Sequence, residues 1–119
     1  MLRALIPLLA ILALPAVARA DPPEVVAATA TQNGGTWSFD VTLAHPDTGW
    51  DHYADAWQIE TADGTVLGIR ELAHPHVEEQ PFTRSLSGVT LPEGLEEVVI
   101  RPRCLVDGWA GESFRLRLP

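Results

Sequence analysis

The sequence predicts an all-β protein, a sandwich of seven short antiparallel strands in one domain. Three observations point there. Apolar and polar residues alternate with period two through most of the chain after residue 20, and turn residues interrupt that alternation at short intervals. No stretch beyond residue 20 carries the 3.6-residue period of an amphipathic helix.

Residues 1–20 read as a signal peptide. Arg3 supplies the charged start, Ala4 to Val17 the apolar run, and Ala18, Arg19 and Ala20 the small-residue cleavage site. The run is short for a membrane span, and Asp21, Pro22 and Pro23 follow it at once. The mature domain, residues 21–119, is therefore expected in the periplasm or outside the cell, with no membrane insertion after cleavage. No cysteine follows the run to accept a lipid anchor. Loss of Arg3 and Arg19 leaves six arginines, no lysine and sixteen acidic residues, a formal charge of −10 over 99 residues. Phosphate binding needs a basic surface, so no nucleic-acid partner is expected. Cys104 is the only cysteine, so no intramolecular disulfide is expected, although export would permit one.

Within the mature domain, Glu24 to Thr31 is rich in Val, Ala and Thr and runs into Asn33-Gly34-Gly35, a hairpin signal. Thr36 to Leu43 alternates without a fault: Trp37, Phe39, Val41 and Leu43 share one face, and Ser38, Asp40 and Thr42 the other. Tyr53 to Ala62 puts Tyr53, Asp55, Trp57 and Ile59 together, turns at Asp63-Gly64 and returns over Thr65 to Ala73. Phe82 to Leu91, Leu95 to Leu105 and Glu112 to Leu118 complete the set, divided by Pro92-Glu93-Gly94 and a turn at Asp107 to Gly111. The expected core is Trp37, Phe39, Val41, Trp57, Ile59, Phe82, Leu86, Val98, Ile100 and Phe114. Arg84 and Asp55 fall on the apolar sides of their strands. Burying either charge alone is costly, so each is expected to be paired, and each is a candidate partner for the other.

Val98 to Gly111, VVIRPRCLVDGWAG, resembles the sixth strand, turn and seventh strand of fibronectin type III and related immunoglobulin-like domains, and the hairpin carrying Trp57 lies where their third strand would be. The resemblance implies a seven-stranded antiparallel immunoglobulin-like (fibronectin type III-like) sandwich, here without the paired cysteines of antibody-type domains. The segments GWDHYADAW (49–57) and HPHVEEQPFTRS (74–85) are also similar to a group of small exported bacterial proteins without assigned function, which implies export and fold but no activity.

In the fibronectin-like strand order, alternate connections go to opposite ends. Turns 33–34, 63–64 and 92–94 share one end. Connections 44–53, 73–81 and 105–111 share the other, with all four histidines and Trp50, Asp51, Glu78, Glu79, Asp107 and Trp109. Function on a rigid sandwich resides in such loops, so this end is the candidate site.

His74 and His76 flank Pro75 and would point to one side of an extended segment, presenting two imidazoles to a borderline metal such as copper or zinc. His45 and His52 would complete the set, with Asp51 or Glu78 as a carboxylate ligand or hydrogen-bond partner. The same residues also read as solvated loop histidines, or as a pH-responsive cluster beside acidic neighbours. Cys104 reads as a small buried hydrophobe or as a soft ligand. A blue-copper site usually adds a weak axial methionine, and the mature chain has none. Trp50 and Trp109, each preceded by glycine, read as caps over the open end of the core or as an aromatic platform for a sugar or a partner. No nucleophile motif occurs, so the chain is not expected to be an enzyme. The expected function is an exported non-enzymatic sandwich that binds a protein partner or small ligand through Trp50, Asp51, His52, Glu78 and Trp109. The alternative is periplasmic copper or zinc binding by His45, His52, His74 and His76.

Overall fold

Eight strands form two antiparallel sheets in the computed structural model, which describes residues 21–119 together with Ala4 and Pro7. The rest of the expected signal peptide lies outside the described residues. Strands β1 (Glu24–Asn33), β2 (Thr36–Ala44) and β5 (Phe82–Val89) make one sheet in the order β1-β2-β5. The second sheet runs β4 (Val66–Glu71), β3 (Ala54–Glu60), β6 (Glu97–Cys104), β7 (Gly108–Trp109), and β8 (Phe114–Arg117) also pairs with β6. Among the described residues there is no helix, and so none long and apolar enough to cross a membrane.

The two sheets share one core because their alternation turns apolar side chains toward each other. Phe39, Val41 and Leu43 of β2 and Phe82 and Val89 of β5 meet Ala54, Trp57 and Ile59 of β3, Val98 and Ile100 of β6, and Leu72. Trp37, Leu86 and Phe114, expected at the centre, are only partly buried against this cluster. The β1–β2 hairpin closes at Gly34, whose φ of 64° is the sign that glycine adopts freely and that tight hairpin loops need. The expected seven strands become eight because the turn after Cys104 is itself paired: Cys104 faces Gly108 and Arg103 faces Trp109.

Strand β3 departs from plain alternation. All seven of its residues are buried, and its register against β6 slips between Ala54 and Ala56. Ala54 and Trp57 consequently both enter the core, while Asp55 turns toward Arg103, which donates from Nε to Asp55 Oδ1 at 2.9 Å. The same guanidinium reaches Glu71 at 3.1 Å. This bulge overturns the proposed Asp55–Arg84 pair, since it leaves the second sheet between them. Arg84 instead donates to the Thr83 carbonyl and to His76 Nε2 and lies 3.7 Å from Glu79. Each charge is paired, but not with the other.

Two outcomes test this packing. Trp57→Ala removes a fully buried indole and is expected to lower the unfolding free energy by about 3–5 kcal/mol, measured by urea titration. In a double-mutant cycle, Asp55→Asn and Arg103→Gln should couple by about 0.5–3 kcal/mol, whereas Asp55→Asn and Arg84→Gln should add to within about 0.5 kcal/mol.

Candidate functional site

The inward-facing positions of three strands run on past the apolar core at one end of the molecule and change there from hydrocarbon to donor atoms. In β2 the inward series Phe39, Val41, Leu43 continues to His45, just beyond the strand. In β6 the buried series Val98, Ile100, Pro102 ends on Cys104. His52 stands two residues ahead of Ala54, which faces Cys104 in the β3–β6 ladder. One ligand atom from each of His45, His52 and Cys104 lies within 4.8 Å of the others; His45 and Cys104 are buried and His52 is half-buried. The two imidazoles meet edge to face with centroids 4.8 Å apart. The loop that presents His52 is a tight turn in which Thr48 N donates to the His52 carbonyl and His52 N to the Gly49 carbonyl. Gly49 bends it at a φ of 150°.

Asp47 organises this end. Its carboxylate is fully buried, and Oδ1 accepts hydrogen bonds from His45 Nδ1 at 2.5 Å and from the Ala54 amide at 2.9 Å. Oδ2 accepts from the His76 amide at 2.8 Å. A carboxylate can only accept, so His45 carries a proton on Nδ1, and in the neutral ring Nε2 keeps a lone pair. Nε2 is buried and has no hydrogen-bond partner among the described residues. Carboxylate, imidazole and an open ring nitrogen in line is the arrangement by which proteins orient a metal-binding histidine. Two imidazoles and a thiolate suit copper or zinc. Around one ion such donors sit about 3.3–3.8 Å apart, so the three groups would close by about 1 Å to hold it.

His74 and His76 do not belong to this group. The His76 ring stacks on Phe82 with centroids 3.8 Å apart, and its Nε2 accepts from Arg84 Nη2 at 2.8 Å. Its proton is therefore on Nδ1, buried and unpartnered among the described residues. Neither nitrogen presents a free lone pair. His74 is exposed, and its Nδ1 donates to the Pro75 carbonyl at 3.0 Å. The two rings do share a side, with centroids 4.6 Å apart, but His76 is held by packing and by Arg84. The connections bearing the histidines are tied together all the same: Gln80 Oε1 accepts from the His45 amide at 3.0 Å, and Gln80 Nε2 donates to the His76 carbonyl at 2.8 Å.

Trp50 does not cap the core. It is 66% exposed and rests edge-on against Tyr53. Trp109 is turned to the outer face of the second sheet, where the Arg103 guanidinium lies 4.9 Å from its ring. Asp51 and Glu78 are exposed and join no hydrogen bond or ion pair with the histidines. What the sequence reading missed is the conjunction of Cys104 with His45. Extending the β2 alternation by one inward position, and matching it to the last inward position of β6, would have found it.

No family model matches the sequence, and no solved structure matches it. The chain is 46% identical over 92 residues to a protein of Halomicrobium mukohataei named "Putative lipoprotein", across 76% of this chain and 45% of that protein. It thus spans less than half the length of the relative, whose name assigns no activity.

Burial lowers the His76 pKa below its ordinary 6.5; Arg84 and His74 add to the shift, and Asp47 and Glu79 oppose it. The unfolded chain then takes up a proton near pH 6.5 that the folded chain refuses until lower pH. The contribution of His76 to stability is present above that value and lost as pH falls through the folded pKa. The loss of stability between about pH 7.5 and about pH 5, read from urea midpoints, should be smaller in His76→Gln than in the parent.

Proposed function

We propose that this is an exported, non-enzymatic protein of immunoglobulin-like type that binds a transition metal through His45, His52 and Cys104. The observation that carries the proposal is the His45 side chain. It is 0% exposed, its Nδ1 is committed to Asp47, and its Nε2 lone pair is unpartnered among the described residues beside a buried thiol and a second imidazole. A buried acceptor with no donor is costly, and a bound cation would satisfy it. The sheet order β1-β2-β5 against β4-β3-β6-β7 supports the immunoglobulin-like assignment, with β7 and β8 sharing the place of the last strand. The apolar run after Arg3 supports export to the periplasm or beyond, and so does the lipoprotein name of the relative. Cys104 is 0% exposed, which supports a ligand or packing role over that of a nucleophile meeting a substrate.

A second reading, binding of a protein partner at the same end, is favoured by the exposed side chains of Trp50, Val77, Leu105 and Val106, which lie in the three connections there. Trp109, on the outer sheet face, is not part of that surface.

Cobalt(II) tests the metal site, because a thiolate bound to it gives a near-ultraviolet charge-transfer band. The purified, reduced protein is expected to take one equivalent and show the band; Cys104→Ser should lose it, and His74→Ala should keep it. Asp47→Asn should weaken binding by about 10–100-fold, as loss of a ligand-orienting carboxylate does elsewhere. Uptake of neither cobalt(II) nor copper(I) by the folded, reduced parent protein would overturn the proposal.

A further inference from the structure

Resting on the metal-binding reading above, we infer that the ion this site takes is monovalent copper, held by three donors, His45 Nε2, a ring nitrogen of His52 and Cys104 Sγ, with no fourth ligand from the protein. The inference comes from asking which group could supply a fourth bond. Asp47 is the nearest buried carboxylate, and both its oxygens are engaged: Oδ1 by His45 and Ala54, Oδ2 by His76. Turning it toward a metal would break the contacts that hold His45 in place. His76 accepts from Arg84 at Nε2 and is clamped flat against Phe82. Asp51, Glu78, Glu79 and Asp107 are exposed and outside the ligand group. Met1 is the only methionine of the chain. Three donors are what this end of the core provides.

That number and those atoms discriminate between ions. Calcium and magnesium require six or more oxygen ligands, and the group has no oxygen. Structural zinc is almost always four-coordinate, and with three protein ligands it keeps a water in the remaining position. Divalent copper prefers a tetragonal set of nitrogen and oxygen donors, or, with two imidazoles and one thiolate, a further weak axial ligand, usually a methionine, and Met1 is the only methionine. Monovalent copper is soft, favours thiolate, and is satisfied by two or three ligands, so it can be enclosed without water. Burial follows the same order: Cys104 is fully buried, His45 nearly so, and His52 half-buried in the tight turn of the β2–β3 connection. The thiolate and the oriented imidazole form the inner pair, and His52 is the outer ligand through which an ion enters and leaves.

The test is an anaerobic competition using the whole purified protein, fully reduced. Copper(I) is offered from a bicinchoninate complex and zinc(II) is offered in parallel. X-ray absorption reads the coordination number. The protein is expected to withdraw one equivalent of copper(I), to show a three-coordinate edge, and to keep the copper against equimolar zinc. Cys104→Ser should lose the copper. His52→Ala, at a half-buried position that leaves the core untouched, should weaken retention by at least about tenfold while near-ultraviolet circular dichroism stays unchanged. Retention of zinc with a fourth, water ligand in preference to copper would overturn this inference and leave the metal-binding reading standing. Unchanged copper retention in His52→Ala would overturn the three-donor assignment, and retention of neither ion by the folded protein would remove both proposals.

Discussion

The buried carboxylate of Asp47 is the constraint on which the histidine-bearing end depends. It receives three hydrogen bonds from three places that are separate in the chain: the His45 ring past the end of β2, the Ala54 amide at the start of β3, and the His76 amide in the β4–β5 connection. An ion of this kind is tolerated inside a protein only when its oxygens are well supplied with donors, and backbone amides are donors that cannot rotate away. The carboxylate thereby binds the first sheet to the second where the apolar core gives out. The orientation of His45, the position of the His76 segment and the start of β3 are coupled through it.

The two buried imidazoles at this end have opposite roles, and their partners decide which. His45 faces an acceptor and keeps a proton toward Asp47, and its buried Nε2 finds no hydrogen-bond partner among the described residues. His76 faces a donor, gives its lone pair to Arg84 and keeps its proton on the buried Nδ1. Stacking on Phe82 and desolvation hold it uncharged, so protonation disfavours the folded arrangement. Equal burial therefore does not mean equal chemistry: one ring leaves its second nitrogen without a partner, and the other braces the loop that covers Asp47.

The outer face of the second sheet shows how a strongly acidic domain disposes of its arginines. Arg101 reaches Glu60 at 2.9 Å and the carbonyls of Ala110 and Gly111, and Arg103 joins Asp55 and Glu71 beneath Trp109. These contacts link β6 to β3, to β4 and to the segment just after β7, and they place cations against the acidic residues that β3 buries. Half-exposed ion pairs of this kind contribute modestly to stability one by one. They lie along β6, the strand that ends on Cys104.

The amino-acid sequence by itself determined which segments become strands and which side chains of β2 and β6 turn inward, because a strand's faces follow from local alternation with period two. Phe39, Val41, Leu43, Val98 and Ile100 are all at 0% exposure where the alternation puts them. It also pointed to the connections that carry His45, His52, His74 and His76. Which histidines act together was decided only in three dimensions. His74 and His76 are neighbours in sequence, yet Arg84 and Phe82 claim the second of them. His45 and Cys104 are far apart in the chain and in different sheets, and they meet because the two sheets close over one core and end together. The slip in β3 that separates Asp55 from Arg84 is likewise a property of strand pairing, since a bulge depends on the partner strand as much as on the residues that form it. Spacing along the chain reports neighbours within a strand; side chains brought together from the end of β6 and from the β2–β3 connection are set by packing.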